Sequence, residues 1–208
     1  MWSSTPCKNA PPERKPRETN AGRRACLTAG LAGLLAGFGL MAPRLAQAQP
    51  SPPAQVAAEL PGVQWTGSSR VRFWGLDIYD VALWVSPGFR AGSYAQHGLA
   101  LELTYLRPLS GQAIAQRSLQ EMRRAGELTQ EQAQRWLAAM QETFPDVKAG
   151  DRITGLHRPG VGATFWHNAQ LRKFVPDPEF SRLFFGIWLS ETTSEPQLRT
   201  ALLSRAAP

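Results

Sequence analysis

Read from residue 63 onward, the chain alternates first with the period of strands and then with the period of helices. Val71 and Phe73 alternate with Arg70, Arg72 and Trp74, and residues 78–85 form a dense apolar run closed by Ser86-Pro87-Gly88. Leu99, Leu101, Leu103 and Tyr105 then fall on one side of a third segment, the two-residue period of a half-buried strand. Ser110 is placed to cap a helix that carries Ile114, Leu119 and Met122 and ends at Gly126. A second helix is stronger. Thr129-Gln130-Glu131-Gln132 is a capping-box pattern, and Ala133, Trp136, Leu137, Met140 and Phe144 recur at helical spacing before Pro145.

Strand signals return over residues 151–157, 163–167 and 170–175, the last two joined by Asn168-Ala169 as a hairpin. Asp177-Pro178 opens a strongly apolar helix to Leu189, and a short helix runs from Ser194-Glu195-Pro196-Gln197 through Leu203. Strands at both ends of a helical pair predict an α+β fold, an antiparallel sheet covered on one face by helices.

The first quarter of the chain has a different character. Seven of the 23 basic residues lie in residues 1–48 against two acids, which leaves 16 basic and 14 acidic side chains beyond them. The +7 net charge is therefore concentrated in a leader, and the remainder shows no basic face for a nucleic acid. A basic n-region ends in Arg23-Arg24, an apolar run diluted by four glycines follows, and Ala46-Gln47-Ala48 supplies a cleavage pattern. Residues 1–48 are expected to be a signal peptide removed after Ala48, giving a periplasmic protein with no stable membrane anchor. Arg23-Arg24, the long n-region and Arg44 point toward twin-arginine export, although the rest of that motif reduces to Ala25-Cys26-Leu27. Residues 49–60, rich in proline, read as a flexible tether, and residues 61–208 as one domain.

Both cysteines, Cys7 and Cys26, fall in the leader, so the exported part has no disulfide or thiolate chemistry. The three histidines are not at ligand spacing within one element; His157 and His167 lie on neighbouring strands without a third ligand, and no metal or cofactor is expected. Phosphate loops, nucleophile elbows and zinc-protease motifs are missing from the sequence. Arg70, Arg72, Tyr79 and Tyr105 are the polar residues placed to enter an apolar interior. A ligand carboxylate would partner them there, and surface acids would partner the arginines otherwise.

Four segments carry a resemblance. Residues 67–84 (Gly67-Ser-Ser-Arg70-Val-Arg72-Phe-Trp-Gly75-Leu-Asp-Ile-Tyr79 onward) resemble the paired strands that open the chalcone isomerase fold. Pro108-Leu109-Ser110-Gly111-Gln112 is similar to the start of its first helix, and Arg158-Pro159-Gly160 to its Pro-Gly hairpin. Phe184-Phe185-Gly186-Ile187-Trp188, with Thr193-Ser194-Glu195-Pro196, resembles its C-terminal helices. The resemblance covers about residues 60–204 and implies an open-faced β-sandwich with a hydrophobic cleft. It also implies where the enzyme's groups would fall: its arginine best on Arg70, with Arg72 the alternative, its threonine on Tyr79, its helix tyrosine on Ile114 and its asparagine on Glu121. The two last departures remove the groups that hold the carbonyl and its water, and they imply no catalytic residue here. An arginine and a hydroxyl beside an apolar pocket suit the fatty-acid-binding members of the family. The reading is thus a binder of a small amphipathic carboxylate through Arg70, Arg72, Tyr79 and Tyr105, with no protein partner specified. The alternatives are an isomerase acting on an enone, and a module whose cleft is filled by tryptophans.

Overall fold

The computed structural model describes residues 49–207; the signal-peptide expectation for residues 1–48 lies outside them. Six strands, β1 (Gln64–Phe73), β2 (Leu76–Val85), β3 (Leu99–Tyr105), β4 (Arg152–Arg158), β5 (Gly162–His167) and β6 (Gln170–Val175), form one sheet in sequential order, every neighbour antiparallel. Trp74-Gly75 is the turn between β1 and β2, so the first strand ends one residue before the alternation had carried it.

The helices are α1 (Ala54–Glu59), α2 (Gly111–Ala125), α3 (Gln130–Thr143), α4 (Pro178–Leu189) and α5 (Pro196–Leu202). Local chemistry fixes their starts. Ser110 Oγ accepts from the Ala113 N–H at 3.2 Å, Thr129 and Gln132 complete a capping box, and Asp177 accepts from Glu179 and Phe180 ahead of Pro178 at the first helical position. Helices α2, α3 and α4 cover the sheet face that carries Val81, Leu83, Leu101, Ile153 and Phe165. A cluster of rings, Phe144, Phe165, Phe180, Phe184 and Trp188, fills the interface with centroids 5.1–6.2 Å apart between neighbouring pairs.

The opposite sheet face is not bare. Residues 54–59, expected within a flexible tether, form α1, whose Val56 is fully buried against Ala100, Leu156 and Trp166. Glu59 pairs with Arg158, and Gln55 donates to the Thr154 hydroxyl at 3.2 Å. Proline at residue 53 starts the helix rather than preventing it, and one buried valine on an otherwise exposed helix leaves no periodic signal.

His157 and His167 do not face each other. His157 pairs with Ala163 and His167 with Ile153, at opposite ends of the β4–β5 ladder. His157 Nδ1 lies 2.6 Å from the Ser181 hydroxyl and Nε2 3.0 Å from the Ala95 carbonyl oxygen. A neutral ring protonated at Nε2 donates to Ala95, and its Nδ1 shares the one proton of the Ser181 hydroxyl with the Gly162 carbonyl oxygen 3.1 Å away. Burial holds its pKa below the ordinary imidazole value, despite the carbonyl of Ala95.

Candidate functional site

Between the sheet and the helices the side chains stop short of meeting. They leave a cavity of about 300 Å³, at the small end of ligand pockets. Its floor is hydrocarbon from β3, β4 and β5: Leu101, Leu103, Ile153 and Phe165. Gly155 sits among them. A Cβ there would come 3.1 Å from the Phe165 ring and 3.2 Å from Phe185, so the missing side chain is what lets both rings line the space. Helix α2 contributes Ile114, Arg117, Ser118 and Glu121 from one stripe, and α4 contributes Phe184, Ile187 and Trp188.

The polar groups are linked to one another. Arg117 meets Glu121 at 2.7 Å, Arg124 approaches the same carboxylate at 3.4 Å, and the Ser194 hydroxyl donates to it at 2.8 Å. Arg117 also lies over the Phe73 ring, 5.8 Å from its centroid. Glu121 is thus a buried carboxylate whose charge is met by two guanidiniums and a hydroxyl from α2 and the segment before α5.

Of the four residues singled out from the sequence, three line this cavity: Arg72, Tyr79 and Tyr105. Tyr79 accepts a hydrogen bond from the Trp188 indole at 3.2 Å, and among the described residues its own proton has no acceptor. Burial pushes this phenol up to about 12, so it is a hydroxyl donor at any physiological pH. Tyr105 packs edge-on against Tyr79 at 5.8 Å, and burial raises its pKa further still.

Arg70 is elsewhere. Its Nε and one amino group pair with Asp80, the other amino group reaches Asp77, and it does not line the cavity. The strand register explains this: Arg70 pairs across the ladder with Asp80, while Val71 pairs with the cavity-lining Tyr79. An irregularity between Val71 and Arg72 resets the strand, so Arg72 reaches the cavity although it is two residues on. Of the two arginines the sequence left open, the structure sets Arg72 against the cavity and Arg70 outside it. Arg72 gives only Nε to Asp77, at 2.6 Å.

Five polar residues that line the cavity lie outside the set singled out from the sequence: Arg117, Ser118, Glu121, Ser194 and Glu195. Arg117 lies on the α2 stripe of Ile114, Ser118 and Glu121, and its contact with the Phe73 ring of the β1–β2 hairpin is one that no local pattern encodes.

The sequence profile of the family described as chalcone isomerase-like matches residues 64–204. The chain belongs to the chalcone isomerase-like family. That span runs from the first strand of the sheet through the last helix, so the family match and the cavity share the same elements. A protein of Haemophilus influenzae described as uncharacterized is 28% identical over 133 residues; the match spans 64% of this chain and 64% of that protein. The crystal structure of a fatty-acid binding protein of Arabidopsis thaliana superposes with a TM-score of 0.54 at 12% identity, covering 69% of this chain and 87% of the plant protein. At that identity the likeness is one of fold: the chalcone-isomerase-like open sheet with its helical layer.

Ile114 and Glu121, the positions onto which the resemblance carries the enzyme's helix tyrosine and asparagine, both line the cavity. The first has no hydrogen-bonding group. The second is a carboxylate where a phenolate substrate would need a neutral donor.

Proposed function

We propose that this chain binds a fatty acid or a similar amphipathic carboxylate, and does so in the periplasm after residues 1–48 are removed. The observation that carries the reading is the cavity itself: a hydrocarbon floor joined to a set of hydrogen-bonding groups that includes Arg72 and the Tyr79 hydroxyl. The acyl chain would lie on Leu101, Leu103, Ile153 and Phe165, where each buried methylene contributes about 0.8 kcal/mol. The carboxylate would take the terminal amino groups of Arg72, which have no partner among the described residues, and the proton of Tyr79. Glu121 does not oppose this, because Arg117, Arg124 and Ser194 already meet its charge.

The fatty-acid binding of the Arabidopsis neighbour supports the same ligand class on this fold. Ile114 and Glu121 speak against cyclisation of a chalcone, since proximity alone must then serve without a carbonyl-directed donor on α2. Calorimetric titration of the protein with a long-chain saturated acid tests the reading. Saturable one-to-one binding supports it, and no heat beyond dilution refutes it. For the location, N-terminal sequencing of protein from the periplasmic fraction should begin at Gln49; a chain that keeps Met1 in the membrane contradicts it.

A further inference from the structure

We propose that the β1–β2 hairpin tip docks this protein onto the surface of an anionic lipid bilayer, with Trp74 as the inserted side chain. Trp74 is 89% exposed, Phe73 54% and Leu76 52%, three large apolar groups in four consecutive residues. Apolar side chains gathered this densely at a protrusion mark an interaction surface rather than ordinary scatter.

The backbone at the tip adds a second, independent observation. Trp74 has φ +51° and Gly75 φ +76°, the two left-handed residues of a tight two-residue hairpin turn. Glycine suits its position. Tryptophan does not suit its own: the left-handed region is costly for a side chain with a Cβ, and asparagine is the residue that turn prefers. No burial offsets the cost, because the indole touches little except the neighbouring Phe73 ring, stacked at 5.9 Å. A strained, exposed indole at the apex of a hairpin gains its stabilisation outside the chain.

The partner's chemistry follows from what surrounds the tip. Residues 73–76 carry no charge, so their insertion among lipid headgroups would drag none with them. Tryptophan is the side chain best matched to that boundary, with an apolar body and one N–H. Arg117 of α2 stands against the Phe73 ring. Along α2 three arginines, Arg117, Arg123 and Arg124, stand against one acid, Glu121, which pairs with the first and third and leaves the helix a net +2, while Asp77 and Asp80 of the hairpin are paired with Arg70 and Arg72. An apolar wedge beside a cationic helix face complements an anionic bilayer. Phe73 belongs both to the tip and to the cavity lining, so docking would set the cavity beside the lipid.

The test uses phosphatidylcholine vesicles with and without phosphatidylglycerol, and the protein in the form the cell accumulates. Co-sedimentation should rise with phosphatidylglycerol and fall with salt. Trp74→Asn keeps a residue the turn accepts and should weaken partition about tenfold or more, the loss of one buried aromatic side chain. The Trp74 part of the emission, taken as wild type minus Trp74→Asn, should be quenched by lipids brominated on the acyl chain. Equal partition of the two proteins, or no quenching of that difference, overturns the inference. So does a dimer that Trp74→Asn dissociates while vesicles leave both proteins in solution. Trp74 does not line the cavity, so binding of a soluble acid should be unchanged in the variant, and failure of docking is read separately from failure of ligand binding.

Discussion

Asp77 holds Arg72 through a single nitrogen, Nε at 2.6 Å, and uses its other carboxylate oxygen for Arg70 at 3.0 Å. Two arginines two residues apart on one strand therefore share one acid and yet have different freedom. Arg70 is committed to two carboxylates, and Arg72 keeps its terminal amino groups. The paired guanidinium of Arg70 has its pKa raised, first by the bond to Asp80 and then by that to Asp77, as expected of a cation already satisfied.

Substitution should separate them. Arg72→Ala is expected to weaken binding of a long-chain acid about tenfold, the lower end for a charge-assisted bond at a partly solvated site. Arg72→Lys should restore only part, because a point charge replaces a planar fork. Arg70→Ala should leave affinity within about threefold, since its partners are surface acids. Titration of the three variants checks this, and a loss confined to Arg70→Ala would contradict the placement.

Stability should depend on pH through His157. Its folded pKa is depressed by burial below the ordinary 6.5, so between those two values the unfolded chain binds a proton that the native chain does not. Stability is then level above about pH 6.5 and falls as the pH drops through that window. Thermal unfolding at several pH values, repeated with His157→Asn, should show the slope in the wild type and a reduced slope in the variant. Equal slopes would assign the effect to other groups.

Helix α1 is expected to stabilise the domain rather than tether it. Val56 is fully buried, and Val56→Ala should cost about 2 kcal/mol in urea unfolding through lost transfer energy and a residual cavity. An unchanged midpoint would return residues 49–60 to the role of a linker.

Most of the architecture was legible in the sequence because each element carries its own local signal. The Thr129–Gln132 box, the Asp177-Pro178 start and the alternation of residues 99–105 each encode an element without help from the rest of the chain. Asn168 and Ala169, read as a hairpin, both adopt the left-handed conformation such a turn requires. What was not legible depended on contacts between distant segments. Helix α1 has one buried side chain whose partners lie about 45 to 110 residues away, and Arg117 meets the ring of a hairpin residue 44 positions before it. The choice between Arg70 and Arg72 turned on one strand irregularity, which alternation of side chains cannot reveal.

Chalcone cyclisation should proceed at the rate of buffer alone. Ile114 and Glu121 stand in the cavity where a hydroxyl and a neutral amide would be needed to direct the carbonyl and its water. Loss of absorbance of a 2′-hydroxychalcone reads the rate directly. A rate well above the control would mean that Arg72 and Tyr79 suffice for the reaction.

The central claim, an acyl chain in the cavity with its carboxylate at Arg72, is tested most directly by calorimetric titration with saturated acids of increasing length. Affinity should rise about fourfold per added methylene while the chain is still entering the cavity, and level off once about 300 Å³ is filled. The same series against Ile114→Phe, which places extra volume in the cavity, should level off at a shorter chain. An affinity that ignores chain length in the wild type, or a plateau that Ile114→Phe does not move, would contradict the account.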